Sequence, residues 1–208
     1  MALLVLESSS CLLKLIIKSL FSILKVRSRS FITLHFDNER QYFCSGELLG
    51  KVETHQGHLN YAAISSCGRF FGSSGFTSDV RFFEVSFEKS NGNFKEIRKA
   101  FELKGHNAQV LCFSLNKDST RAATISKDNT WKLWNTDVDY VHRQDPKCYF
   151  TGSLVAPIRD LGLIVLSPDA LSLAMSIDNR LIFYNLTSEE KKCEQNIEEV
   201  HSGQLNFD

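Results

Sequence analysis

The feature that most constrains this chain is a self-similar pattern returning about every fifty residues. Three stretches can be laid over one another: ISSCGRFFGSSGFTSDVRFFEV from Ile64 to Val85, LNKDSTRAATISKDNTWKLWNT from Leu115 to Thr136, and LSPDALSLAMSIDNRLIFYNL from Leu166 onward. Each begins with a strand end and a polar turn, and continues into a small-residue strand (Phe70–Ser74, Arg121–Ser126, Leu171–Ile177). A second polar turn follows, and then an aromatic-bearing strand (Val80–Val85, Trp131–Thr136, Leu181–Leu186). The aromatic near the end of that strand is Phe83, Trp134 and Tyr184, at intervals of 51 and 50 residues. Tyr42-Phe43 is a candidate fourth mark upstream.

A period of about 40–50 residues holding four short strands points to an all-β chain built as a β-propeller. Each blade is a small sheet whose faces are covered by its neighbours, so its strands are apolar with little clean alternation. A sandwich or barrel does not predict similar segments at constant spacing. Fourth, outer strands are expected at Leu48–Glu53, Phe94–Leu103, Lys147–Gly152 and near residues 193–200. Residues 31–208 have room for about four blades, and Gln204–Asp208 reads as the first strand of another, so a fragment, splice form or incomplete gene model is expected.

Residues 1–30 read as a separate, divergent segment. Over residues 11–26 (CLLKLIIKSLFSILKV) Lys14, Lys18, Ser22 and Lys25 share one helical face, with Leu13, Ile16, Ile17, Leu20, Phe21 and Leu24 largely opposite. Three lysines disfavour a spanning helix, which needs about 20 mostly apolar residues. The readings that stay open are a basic amphipathic helix on a membrane surface, a helix packed on the domain, or an alternative first exon with no evolved role.

Composition excludes some functions. The 24 basic residues balance the 24 acidic ones, so no overall positive field grips nucleic acid. Two short basic patches (Lys25, Arg27, Arg29; Lys95, Arg98, Lys99) leave local RNA contact as an alternative. The 6 cysteines form no CxxC pair, which removes a zinc knuckle or thioredoxin-type motif and suits reduced cytosolic thiols. No clustered His-and-carboxylate set, phosphate-binding glycine loop or paired-carboxylate constellation stands out, so neither a metal, a cofactor nor an active site is expected. His35, His58, His142 and His201 read as exposed or structural, and the Asn185-Leu186-Thr187 sequon as chance.

The middle repeat carries the most specific pattern. Gly105-His106 precedes the strand Gln109–Leu115, and Trp134-Asn135 closes the third strand. This arrangement resembles the WD40-repeat family, with Asn in place of the usual Asp after the tryptophan. The resemblance implies a buried, hydrogen-bonded structural tetrad at His106, Thr124, Asp128 and Trp134. Asp128 would accept from the His106 ring, His106 from Thr124, and Thr124 from the Trp134 indole, so that every buried polar group has a partner. A Thr–His–Asp set also suggests a nucleophile triad, but the GH and W marks favour the structural reading. The other repeats depart from the pattern: Phe83-Glu84 and Tyr184-Asn185 replace Trp-Asp, Thr77 stands for Asp128, and Met175 for Thr124. Ser73 fits the hydroxyl position, with His55 at the matching distance before it.

The runs HLNYAAISSCGRFFGSSGFTSDVRFFEV, KAFELKGHNAQV, SKDNTWKLWNTDVDY and RQDP resemble a narrower branch of that family. The likeness covers residues 46–208 and is strongest over His58–Pro146; residues 1–45 match poorly. It implies a seven-bladed propeller, of which this chain holds about four blades, on the cytosolic face of the endoplasmic reticulum behind an N-terminal membrane anchor. It also implies a non-catalytic adaptor in that organelle's stress response, touching a stress-sensing kinase and translation. Candidate contact loops are Phe76–Asp79, Lys127–Thr130 and Asp178–Arg180, which join second and third strands.

Overall fold

The computed structural model describes residues 2–7, 32–37, 47–90, 93–159, 162–178, 180–187 and 190–196. Three four-stranded antiparallel sheets dominate it. The first blade contains β4 (Leu59–Ile64), β5 (Phe70–Gly75), β6 (Asp79–Phe87) and β7 (Phe94–Lys104). The second contains β8 (Val110–Leu115), β9 (Arg121–Ser126), β10 (Thr130–Asn135) and β11 (Lys147–Ser153). The third contains β12 (Gly162–Leu166), β13 (Ser172–Ile177), β14 (Arg180–Asn185) and β15 (Glu190–Asn196). In each, strands pair in chain order, as in a propeller blade. The first strands face one another, β4 against β8 and β8 against β12, which makes them the inner strands of the stack.

The repeat is visible in the backbone hydrogen bonds. Ser65, Asn116 and Ser167 each donate N–H to the carbonyl five residues on, and Gly68, Ser119 and Ala170 donate back to theirs. The last three share a left-handed conformation, with φ of 71°, 58° and 59°. A second shared device lies on the third strand. Its pairing to the fourth shifts register between Phe82 and Phe83, between Leu133 and Trp134, and between Phe183 and Tyr184. Such a bulge adds local twist to the strand. Phe82 and Phe83 enter different apolar clusters, as do Leu133 and Trp134, because successive residues of a strand point to opposite faces.

Those clusters are the mortar between blades. Phe70, Phe82, Phe101, Phe113, Ala122 and Trp134 pack the junction of the first and second blades. Ile125, Trp131, Leu133, Ile164, Leu173 and Met175 pack that of the second and third. Leu59, Phe71, Phe83 and Val85 form the core on the other side of the first blade. A polar strap crosses the first junction. The short 3-10 turn Tyr140–His142, between β10 and β11, brings the Tyr140 hydroxyl to accept from Arg69 Nη2 at 2.6 Å. Arg69 and Arg98 both bind the Glu84 carboxylate at 2.6 Å. Burial opposes ionisation of Glu84, yet these donors hold its carboxyl below the ordinary glutamate value.

The N-terminal region differs from the repeats. β1 (Ala2–Glu7), β2 (Ile32–Asp37) and β3 (Glu47–Val52) form a parallel sheet in the order β2-β1-β3. The strand expected at Leu48–Glu53 is therefore present, but it pairs in parallel with the apolar run of β1 rather than closing an antiparallel blade. The helix expected over residues 11–26 and the Tyr42-Phe43 mark lie outside the described residues.

Gly72 tests the close stacking of the first two blades. A Cβ there would lie 2.6 Å from Phe82 Cε1 and 2.7 Å from Phe113 Cζ. Gly72→Ala is expected to lower stability by about 1–3 kcal/mol through overpacking, read as an earlier midpoint in urea titration; an unchanged midpoint would contradict this packing.

Candidate functional site

At one end of the second blade a set of polar groups gathers around the turn from β9 to β10. Gly105, with φ of 143°, carries the chain past Trp134, whose Cη2 would lie 3.5 Å from a Cβ at that position. This backbone region suits glycine, and it delivers His106 inward. Asp128 lies in the turn from β9 to β10, Thr124 in the middle of β9 and Trp134 near the end of β10.

The structure brings these four residues together. The Trp134 indole N–H donates to Thr124 Oγ1 at 2.9 Å. Thr124 Oγ1 stands 2.8 Å from His106 Nε2, and His106 Nδ1 stands 3.0 Å from Asp128 Oδ2. An ionised carboxylate only accepts, so Nδ1 carries the ring proton, Nε2 accepts, and Thr124 donates to it. One chain of donors thus runs from Trp134 through Thr124 and His106 to Asp128. Both protonation states fit it. Burial pushes the His106 pKa below the ordinary histidine value and outweighs the pull of Asp128, so the ring is neutral at pH 7. Burial disfavours the charged Asp128 carboxylate, but Thr130, the Asn107 N–H and His106 prevail and hold its pKa at about 2.

Sequence reasoning missed the rest of the cradle. Thr130 donates both its N–H (2.9 Å) and its hydroxyl (2.6 Å) to Asp128 Oδ1. The Asn107 N–H donates to Asp128 Oδ2 at 2.8 Å. Ser126 Oγ accepts from the Asp128 N–H and donates towards the Ala108 and Gln109 carbonyls. The Asp-x-Thr spacing is the signal that was available, since a turn aspartate commonly accepts from the residue two positions on. A nucleophile role fails on this geometry. Thr124 is 0% exposed, its oxygen accepts from the indole and its proton is directed at His106, which leaves no approach for a substrate.

The neighbouring blades keep only parts of the arrangement. In the first, Gln56 rather than His55 meets Ser73: the Ser73 hydroxyl donates to Gln56 Oε1 at 2.6 Å, and Gln56 Nε2 donates to the Ser73 and Asp79 carbonyls. His55 has a left-handed φ of 53° and lies exposed beside Glu53. In the third, Met175 is buried in the apolar cluster, while Asp178 accepts from the Arg159 N–H at 3.2 Å.

Of the three contact loops, Phe76–Asp79 exposes Phe76, and Lys127–Thr130 is tied down by Lys127 Nζ donating to the Ile158 and Arg159 carbonyls. Of the basic patch on β7, Arg98 binds Glu84 and Lys99 binds Glu102. The patch Lys25, Arg27 and Arg29 lies outside the described residues. Among the described residues no group of three or more His, Cys, Asp or Glu is placed to hold a metal, and no helix is long and apolar enough to cross a membrane.

Linkage makes the tetrad testable. The folded pKa of His106 lies below the unfolded value of 6.5, so as pH falls below 6.5 the unfolded chain takes up protons first and stability drops. Asp128 contributes fully above its unfolded 3.8, and this contribution, about 2 kcal/mol, is lost as pH falls towards about 2. Thermal melts followed by circular dichroism should show both declines. Asp128→Asn should flatten the lower one, and an identical acid profile for the variant would contradict the assignment. Thr124→Val strands the indole N–H and His106 Nε2, with an expected loss of about 1–3 kcal/mol for each group.

Comparison with known proteins agrees with this geometry. The family described as "WD domain, G-beta repeat" matches residues 97–135, which span much of β7 and the second blade through β10. Transducin beta-like protein 2 of Homo sapiens is 44% identical over 171 residues, covering 78% of this chain and 37% of that protein. Transducin beta-like protein 2 of Mus musculus is 43% identical over 166 residues, with the same shares covered. A guanine nucleotide-binding protein subunit beta-like protein of Encephalitozoon cuniculi (strain GB-M1) is 44% identical over 46 residues, or 22% of this chain. The chain thus spans 37% of the length of the first two relatives. Stacked four-stranded blades, a matched repeat around His106 and Trp134, and likeness over most of its length make this chain a WD40-repeat protein similar to transducin beta-like protein 2.

Proposed function

We propose that this chain is a non-catalytic protein-interaction scaffold, and that its tetrad at His106, Thr124, Asp128 and Trp134 stiffens a blade rather than reacting. The observation that carries this reading is the pairing of stacked blades with exposed apolar side chains, two of which, Phe76 and Val155, share one end. In an antiparallel meander, the turns between second and third strands lie at the same end as the connections between blades. Phe76, 60% exposed, sits in one such turn, and Val155, 94% exposed, in one such connection. Large apolar side chains held out on a rigid frame suit a protein partner.

The finer reading follows the sequence resemblance. The scaffold acts as an adaptor in the endoplasmic reticulum stress response, at the cytosolic face of that membrane, with a stress-sensing kinase among its partners. Residues 11–26 are then a candidate membrane-surface contact. The alternative, an RNA- or ribosome-associated role linked to translation, draws less support from β7, because Arg98 and Lys99 already serve the Glu84 and Glu102 carboxylates.

The test uses tagged full chain in cells under endoplasmic reticulum stress. Co-purification with the stress-sensing kinase is expected, with a fall of about tenfold for the pair Phe76→Ala and Val155→Asp, roughly the loss of one interface anchor. The variant should keep the parent melting temperature. Recovery insensitive to both substitutions would overturn the surface assignment. Recovery abolished by ribonuclease and by moderate salt would favour the RNA reading.

A further inference from the structure

Three cysteines are described with their side chains, and their surroundings differ. Cys112 is buried in the core between the second and third blades, near the carbonyls of Phe113 and Ile164, and burial pushes its thiol up to about 12. Cys148 is exposed on β11, where its S–H donates to the Phe150 carbonyl at 3.2 Å. Cys67 is also exposed, but it sits in the β4–β5 turn among donors. Ser65 Oγ lies 3.3 Å from its sulfur. The backbone N–H groups of Cys67 and Arg69 face it, and so does the Ser119 hydroxyl from the equivalent turn of the next blade.

Ser119 is the informative neighbour. Its residue is 7% exposed, and its hydroxyl makes no hydrogen bond in the resting structure. A buried hydroxyl without a partner is destabilising. A neutral thiol is a weak acceptor, whereas a thiolate or a sulfenate oxygen is a strong one. Ionising or oxidising Cys67 therefore supplies the acceptor that Ser119 lacks.

We propose that Cys67 is a redox-modification site, oxidised by hydrogen peroxide to the sulfenic acid and then capped by glutathione as a mixed disulfide. In the first step the Cys67 thiolate attacks one peroxide oxygen. An S–O bond forms as the O–O bond breaks, sulfur loses two electrons to the peroxide, and hydroxide leaves and is protonated to water. In the second step a glutathione thiolate attacks the Cys67 sulfur. The S–S bond forms, the S–O bond breaks, and the oxygen departs as water after taking up protons. Partial burial works against the thiolate, but the surrounding donors hold the Cys67 thiol below the ordinary cysteine value. The product would sit on the seam between the first two blades, where a bulky cap changes the surface formed by the β4–β5 and β8–β9 turns.

The test exposes the folded full chain to hydrogen peroxide at pH 7, traps sulfenic acid with dimedone, and measures each cysteine-containing peptide by mass spectrometry. Cys67 should be labelled at least about threefold faster than Cys148. Cys112 should stay unlabelled, which verifies the fold in the same sample. Ser119→Ala should bring Cys67 down towards the Cys148 rate, and added glutathione should convert the sulfenate to a mixed disulfide. Should Ser119→Ala expose Cys112, Ser119→Gly suits the left-handed φ of 58° and removes the same hydroxyl. Equal labelling of Cys67 and Cys148 in the parent chain would overturn the proposal. So would an unchanged Cys67 rate in the Ser119 variant with Cys112 still protected.

Discussion

A four-stranded blade has two apolar faces, and each must be covered by a neighbour. That requirement governs the composition and spacing of the chain from Leu59 onward. Where two blades meet, the second strands are kept small by Gly72, Ala122 and Ala123, which pack among large side chains. The third and fourth strands bring the bulk, in Phe82, Phe101, Trp131 and Trp134. Small against large is what lets the sheets approach without voids. The alternation of the third strand serves the same end, because it sends Phe82 and Phe83, and Leu133 and Trp134, to opposite faces and so into different clusters.

Polar groups inside such a stack cost stability unless they are partnered. The second blade partners its central groups through a continuous chain of donors ending on Asp128, which accepts four hydrogen bonds. The first blade does so differently, with Gln56 closing on Ser73 and with Glu84 held between two arginines beside Tyr140. The third replaces the central hydroxyl with Met175 and relies on packing there. At the position of Thr124, three blades of one architecture thus use a histidine-linked network, a serine–glutamine pair and a buried methionine.

Much of this was legible in the residues. Strands β5, β9 and β13 lie within a residue or so of their expected positions, because turn residues bracket short small-residue runs. The outer strands β7 and β11 were legible for the same reason. The grouping of His106, Thr124, Asp128 and Trp134 came from the likeness of the Gly105-His106 and Trp134-Asn135 marks to the WD40 pattern rather than from spacing alone. Other features depend on neighbours that no local pattern encodes. Gln56 takes the place expected of His55 because the backbone at His55 turns left-handed and faces that ring outward. The bulges, the Tyr140 strap and the parallel pairing of β3 are set by what lies across the junction rather than along the strand.

The state of one imidazole tests the account most directly. Nitrogen-15 NMR of the His106 ring, assigned by comparison with His106→Gln, reports which nitrogen carries the proton. The donor chain from Trp134 to Asp128 predicts a single neutral tautomer with the proton on Nδ1, persisting below the ordinary histidine pKa. A ring that exchanges between tautomers and protonates near pH 6.5, as a solvent-exposed histidine does, would contradict the buried network and the rigid blade built on it.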